Sequence, residues 1–437
     1  MSNLRIFAIM LMVSVSGSSL AEDLMQVYQQ ALSQDTQLRI ASARFQSLQQ
    51  ERPLATARFL PSLSAYADYS HYHTDTYTNE SKSGESYETT AYGVTLRQTL
   101  FRLDVFRQSS QADRIIMQGE VDLDLARQEL IVRLAEQYFE VLAAKDNLLF
   151  ARAEKTAIEK QLEQTKQRFN VGLIAITDVH ESQARFDLSL AREIDAENRL
   201  ANADEALRVI TGKYYRNLAG LTKDAPLLPP EPASMDDWVT MAMKQNLDVL
   251  SKQWGLEVAG FGVDVERAVR YPALDLVARY AVIDETQRSN GQETDNGSFS
   301  ITVNWDIYQG GAVGARVERA RQEKILAQEA LEAARREAQR NARNAYLGVI
   351  ADISRVKAFN QAVISNKSAL EATAAGYDVG TRTTVDVLDA RTALFLAQSN
   401  YSQSRYNYIM ATIRLKQAVG TLDESDLAQI NTWLSPK

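Results

Sequence analysis

The feature that most restricts what this chain can fold into is an internal duplication, since two copies of one unit must bury their apolar faces in equivalent ways. Ala31-Leu32-Ser33-Gln34-Asp35 returns as Ala242-Met243-Lys244-Gln245-Asn246. Arg58-Phe59-Leu60-Pro61-Ser62-Leu63 returns, with one residue gained or lost, as Arg270-Tyr271-Pro272-Ala273-Leu274. Val94-Thr95-Leu96 through Phe101 parallels Ile301-Thr302-Val303 through Tyr308, and Phe169-Asn170-Val171-Gly172 parallels Tyr377-Asp378-Val379-Gly380. The anchors keep their order at offsets close to 210 residues. Each half reads as helix, strand, polar loop, strand, long helix, tight turn, long helix. The boundary falls in residues 225–233, where Pro226, Pro229, Pro230 and Pro232 cannot continue a helix.

The expected organisation is a signal peptide over residues 1–21, a first repeat over 22–224, a proline-rich linker over 225–233 and a second repeat over 234–437. In the leader, Arg5 precedes an apolar run over residues 6–15, too short to span a bilayer, and Ser19-Leu20-Ala21 offers a small-x-small cleavage site. Strands are expected over about 61–77, 90–101, 272–283 and 298–308. Long helices are expected over about 102–170, 177–211, 312–375 and 384–419.

Alternation is the physical signal for the strands. Phe299, Ile301, Val303, Trp305 and Ile307 alternate with Ser300, Thr302, Asn304 and Asp306, and Leu274, Leu276, Ala278, Tyr280 and Val282 alternate with their neighbours. A half-buried sheet on a soluble core would show the same pattern. The flanks favour a membrane strand instead. Phe59, Phe101, Tyr271 and Tyr308 stand where strands meet helices, as an interfacial aromatic belt would, and long polar loops are expected over 75–88 and 284–297. Four strands cannot close a barrel, and an open edge in hydrocarbon leaves unpaired backbone groups at several kcal/mol each. Two chains would give eight strands and three would give twelve; pattern alone does not choose.

The helix expected over 102–170 would be roughly 100 Å long at 1.5 Å per residue. Leu130, Leu134, Tyr138, Val141, Lys145 and Leu148 follow 3–4 spacing, as do Leu331, Ala334, Ala338, Ala345 and Val349. Such helices alone equally suit an exported coiled-coil structural protein or adhesin without channel activity.

Chemistry-bearing clusters are scarce. The chain has no cysteine, which excludes a disulfide framework, thiolate metal sites and a lipidated N-terminal cysteine. A net charge of −8 without a basic run argues against nucleic acid. His71 and His73 lack an evident third metal ligand, and Gly310-Gly311-Ala312-Val313-Gly314 lacks the spacing of a phosphate loop. No catalytic residue, metal site or cofactor is expected. Asp386 and Asp389 share one face at a helix start, where helix-dipole complementation accounts for acids without any further role. Asp178 and Glu181 have the same spacing in the first half.

Residues 376–389 (GYDVGTRTTVDVLD), with 168–179 (RFNVGLIAITDV) as their first-half partner, resemble the TolC family of bacterial outer-membrane efflux proteins. The resemblance extends over nearly the whole mature chain. It implies a mixed α+β membrane protein: a homotrimer closing a twelve-stranded β-barrel in outer-membrane lipid, continuous with a twelve-helix periplasmic tunnel. It implies recruitment by a periplasmic adaptor (membrane fusion) protein and an inner-membrane efflux pump or ABC transporter. It also implies residue roles. Asp386 and Asp389 match the acidic, cation-selective ring of the periplasmic entrance. Tyr377, Arg382, Thr177 and Asp178 match the gate, with Tyr377 hydrogen-bonding Asp178 and Arg382 bridging toward Thr177 and Asp178, partly between subunits. Val171, Gly172, Leu173, Val379, Gly380 and Thr381 would be the tips that adaptors grip. The implied function is a passive exit duct for small toxic compounds or secreted proteins, opened by untwisting of the tip helices.

Overall fold

The computed structural model describes residues 21–78, 81–285 and 291–435. The expected signal peptide therefore lies, apart from Ala21, outside the described residues. The described chain forms two compact units, and neither is a repeat: residues 40–126 and 239–340 make one, the remainder the other. These units cut across the two expected repeats because strands and helices of the two halves pair with each other.

In the first of these units a four-stranded antiparallel sheet has the order β1-β2-β4-β5, from β1 (Ser62–Tyr77), β2 (Lys82–Phe101), β4 (Ala273–Asp284) and β5 (Glu293–Asn304). β2 pairs with β4 across the repeat boundary, Val94 facing Tyr280. Register places Leu63, Leu96, Ala278 and Phe299 in one row, and Ala65, Val94 and Tyr280 in the next. The opposite face carries Ser62, Arg97, Val277 and Ser300, then Ser64, Thr95, Arg279 and Ser298. Period-two alternation thus makes one apolar and one polar face. The apolar face is bare: Leu63 and Phe299 are each 72 % exposed. β1 and β5 are edges.

Two strand boundaries differ from expectation. β2 starts at Lys82 rather than 90, and β5 covers 293–304 rather than 298–308. The stretches read as long polar loops are largely strand, because Ser, Thr and Tyr residues (His73↔Ser86, Tyr72↔Tyr87) continue the ladder beyond the apolar alternation. Past Asn304 the chain leaves the sheet, and Trp305 Nε1 instead donates to the Arg270 carbonyl (3.0 Å). The same unit holds α3 (Glu51–Ala57), α7 (Leu247–Ala268, capped by Asn246) and the leading turns of α4 (Leu103–Asn170) and α8 (Ala312–Asp378).

The other unit contains the rest of α4 and α8 with α5 (Ile176–Thr211) and α9 (Thr384–Val419). The seam of α4 is buried at Leu130, Leu134, Tyr138, Val141 and Leu148, while Lys145 is exposed. On the part of α8 in this unit, Ala342 and Val349 are buried, and the small Ala342 permits close helix approach. A second layer holds α1 (Leu24–Gln34), α10 (Glu424–Asn431) and a two-stranded pairing of β3 (Gly220–Leu221) with β6 (Leu434–Ser435). Asp23 forms a capping box with Gln26, and α1 buries Leu24, Val27, Tyr28 and Ala31. α2 (Thr36–Leu48) and α6 (Met235–Gln245) complete the elements. The proline-rich segment is anchored: Leu228 N–H donates to Tyr408 Oη (2.7 Å) and Trp238 Nε1 to the Pro232 carbonyl (2.7 Å). No helix among the described residues is long and apolar enough to cross a membrane, which says nothing of strands.

Candidate functional site

The two tight turns close their helices in the same way. Gly172 N–H donates to the Phe169 carbonyl (2.9 Å) and Leu173 N–H to the Arg168 carbonyl (2.9 Å). In the second half Gly380 donates to Tyr377 (3.1 Å) and Thr381 to Gly376 (2.8 Å). Both are Schellman closures, and both need a left-handed residue, met by Gly172 (φ 74) and Gly380 (φ 79). The turns present bare apolar side chains: Val171, Leu173 and Val379 are 70–76 % exposed.

Beyond the turns the halves diverge. α9 begins with a capping box, in which Thr383 N–H donates to Asp386 Oδ2 (2.8 Å) and Asp386 N–H to Thr383 Oγ1 (3.2 Å). These bonds from Thr383, assisted by the nearby Arg382 charge, hold the Asp386 carboxyl below the ordinary aspartate range. α5 has Ala175 at the same place, with no side-chain cap. Within one chain Asp386 therefore serves the helix start, as helix-end electrostatics alone allows.

Asp389 is engaged across helices instead: Arg185 Nη2 of α5 donates to its Oδ1 at 2.6 Å. Tyr377 lies under the Arg168 guanidinium, 4.6 Å from ring centroid to charge, and its hydroxyl accepts from Thr384 Oγ1 (3.4 Å). Arg168 also lies 3.9 Å from Asp378. Arg382 donates its backbone N–H to the Gly376 carbonyl (3.2 Å), and its stem passes so near Gly376 that an added Cβ would meet Arg382 Cγ at 2.8 Å. Among the described residues of a single chain, neither Tyr377 nor Arg382 bonds to Thr177 or Asp178.

Further along, buried Glu154 of α4 accepts from Arg192 Nη1 of α5 (2.9 Å) and Thr392 Oγ1 of α9 (2.9 Å). Ser402 Oγ and Tyr406 Oη both donate to Asp146 Oδ2, at 2.6 and 2.8 Å. Arg168, Arg185 and Glu154 had no signal of their own in the sequence, since their partners lie a few turns away on other helices and up to 238 residues away along the chain. His71 and His73 sit in β1, next to Glu88 (3.9 Å) and hydrogen-bonded to Ser86 (2.7 Å), respectively. No group of three or more His, Asp or Glu among the described residues could hold a metal ion.

Residues 27–213 and 238–421 match the family model described as "Outer membrane efflux protein". The chain is 37 % identical to Outer membrane protein TolC of Vibrio cholerae serotype O1, over 96 % of this chain and 96 % of that protein. It is 27 % identical to the alkaline protease secretion protein AprF of Pseudomonas aeruginosa, over 92 % of this chain and 85 % of AprF. Among solved structures, the Campylobacter jejuni CmeC outer membrane channel shares the fold with a TM-score of 0.79 at 17 % identity, covering 94 % of this chain and 89 % of that one.

Proposed function

We infer the function from one fact of membership: this chain belongs to the outer membrane efflux protein family. It is an outer-membrane channel protein of the efflux and secretion kind. We propose that it works as a homotrimer, because the sheet has an exposed apolar face, a polar face and two open edges, β1 and β5. In lipid those edges must pair, and three copies supply twelve strands with the apolar rows outward. This inside-out sheet is the observation that carries the reading.

The helices would continue the barrel as a twelve-helix tunnel in the periplasm, passive in itself, with energy supplied by an inner-membrane efflux pump or ABC transporter. The apolar tips at Val171, Leu173 and Val379, on turns completed by Gly172, Gly380 and Thr381, form the surface offered to a periplasmic adaptor. Resting closure is assigned to Tyr377 and Arg382 meeting Thr177 and Asp178 of neighbouring helices in the trimer. Arg382 can donate a fork to a carboxylate of a neighbouring helix, since within its own chain its charge acts only at a distance, on Asp386. Asp386 and Asp389 from three chains would line the entrance and favour cations. Opening is then an untwisting of the tip helices that separates these contacts. Cargo is small toxic compounds, secreted proteins or both.

The test is mass and current together. Detergent-purified protein should weigh three chains and conduct ions across a planar bilayer. A stable single chain that never carries current would overturn the reading.

A further inference from the structure

Where β5 ends and α8 begins, Arg270, Trp305, Asp306, Ile307 and Tyr308 line a pocket of about 260 Å³. Its chemistry is unusual for this surface. A cation and an anion share the pocket, yet neither Arg270 nor Asp306 forms an ion pair among the described residues; Asp306 accepts only from neutral Gln309 Nε2 (2.7 Å). Elsewhere in the same unit arginines and carboxylates pair readily, as Arg114 does with Glu257 (3.1 Å) and Arg102 with Asp104 (2.9 Å). The wall is apolar and bare, with Trp305 58 %, Ile307 82 % and Tyr308 83 % exposed. The backbone is fixed by the Trp305 bond to the Arg270 carbonyl.

The duplication shows that the pocket belongs to the second repeat alone. In the first repeat the matching positions, Gln98 and Thr99, still lie in β2, and Thr99 Oγ1 donates to Asp275 Oδ1 (3.2 Å). The second repeat leaves its sheet at Asn304, and only there do Trp305 and Asp306 stand outside the strand, Asp306 as a carboxylate where the first repeat has Thr99.

We propose that this pocket binds the headgroup of an ethanolamine phospholipid. The inference rests on the outer-membrane reading and adds to it a defined lipid site. A guanidinium binds phosphate oxygens through a fork, and a carboxylate answers the primary ammonium one short linker away. Trp305 and Tyr308 are the side chains favoured at a membrane interface, and Ile307 meets the start of an acyl chain. A glycerol headgroup would satisfy Arg270 and leave Asp306 opposite a neutral hydroxyl. A choline headgroup would present Asp306 with methyl groups instead of N–H donors.

Native mass spectrometry of detergent-purified protein titrated with dioleoylphosphatidylethanolamine or dioleoylphosphatidylglycerol tests this. Wild type should retain the ethanolamine lipid on the order of tenfold more tightly than the glycerol lipid. Asp306→Asn should bring the ethanolamine lipid down to the glycerol level, and Arg270→Gln should weaken both. Equal retention of the two lipids by wild type, or Asp306→Asn binding like wild type, would overturn the proposal. Soluble phosphoethanolamine bound as tightly as the lipid would also overturn it, making the ligand a free solute. All three proteins should carry ion current in planar bilayers. Current with no lipid preference defeats this inference alone, whereas no current from wild type defeats the channel reading and this inference with it.

Discussion

Arg185 on α5 donates to Asp389 on α9 at 2.6 Å, so one of the two carboxylates assigned to the entrance is already neutralised from within its own chain. The pair is exposed, 37 % at Arg185 and 56 % at Asp389, and contributes less than about 1 kcal/mol to stability. In the proposed entrance its effect falls on the charge of the mouth. Arg185→Gln frees Asp389 and should tighten block of the ion current by a trivalent cation by roughly threefold to tenfold. Asp386→Ala/Asp389→Ala should abolish block. Titration of single-channel current with the cation separates these outcomes; block unchanged in both variants would return both carboxylates to helix-end duty.

The capping box ties the α9 start to pH. Asp386 titrates below its ordinary value, so its contribution is complete above the unfolded aspartate range, about 3.9. It is lost as pH falls through the still lower folded value. Hydrogen exchange over residues 383–390 should accelerate only below about pH 4 in wild type. Thr383→Ala, which removes one half of the box, should speed exchange at neutral pH, consistent with a cap worth about 0.5–2 kcal/mol.

Gly376 is small because the Arg382 stem crosses it. Gly376→Ala places a Cβ 2.8 Å from Arg382 Cγ, and Arg382 must move. Alanine is otherwise favoured over glycine in a helix by about 1 kcal/mol. The variant should therefore keep its melting temperature within a few degrees while its resting current rises. A loss of stability with unchanged current would contradict this placement of Arg382.

Glu154 is the buried junction of three helices, joined to Arg192 and Thr392. Removing its partners leaves a buried carboxylate, whereas Glu154→Gln keeps one hydrogen bond and discards the charge. Arg192→Ala should cost about 2–3 kcal/mol, at or just below the low end for a broken buried pair because Arg192 is itself 42 % exposed. Combining it with Glu154→Gln should recover part of that loss. Thermal unfolding of the four proteins completes the cycle.

How much of this was legible beforehand depends on the range of the interaction. Alternation in β4 and β5 is a local property of the backbone, and it marked both the strands and the apolar face that register later aligned. The start of β2 is not legible because Ser83, Ser86, Tyr87 and Thr89 extend the ladder from Lys82 without an apolar period. At the tips, Gly172 and Gly380 stood out because only a left-handed residue closes those turns. Arg185–Asp389 and the Arg168–Tyr377 stack were illegible: each joins positions more than 200 residues apart, and a lone arginine on a polar helix face announces no partner. The asymmetry between Phe169 and Tyr377, and between Ile174 and Arg382, was visible in the duplication. The structure adds that α9 has the capping box and α5 does not.

The most direct test of the proposed gate is resting single-channel current in a planar bilayer, wild type against Tyr377→Phe/Arg382→Ser. Wild-type conductance should be low and rise severalfold in the double variant at unchanged oligomer mass. Identical conductance from the two proteins would contradict it.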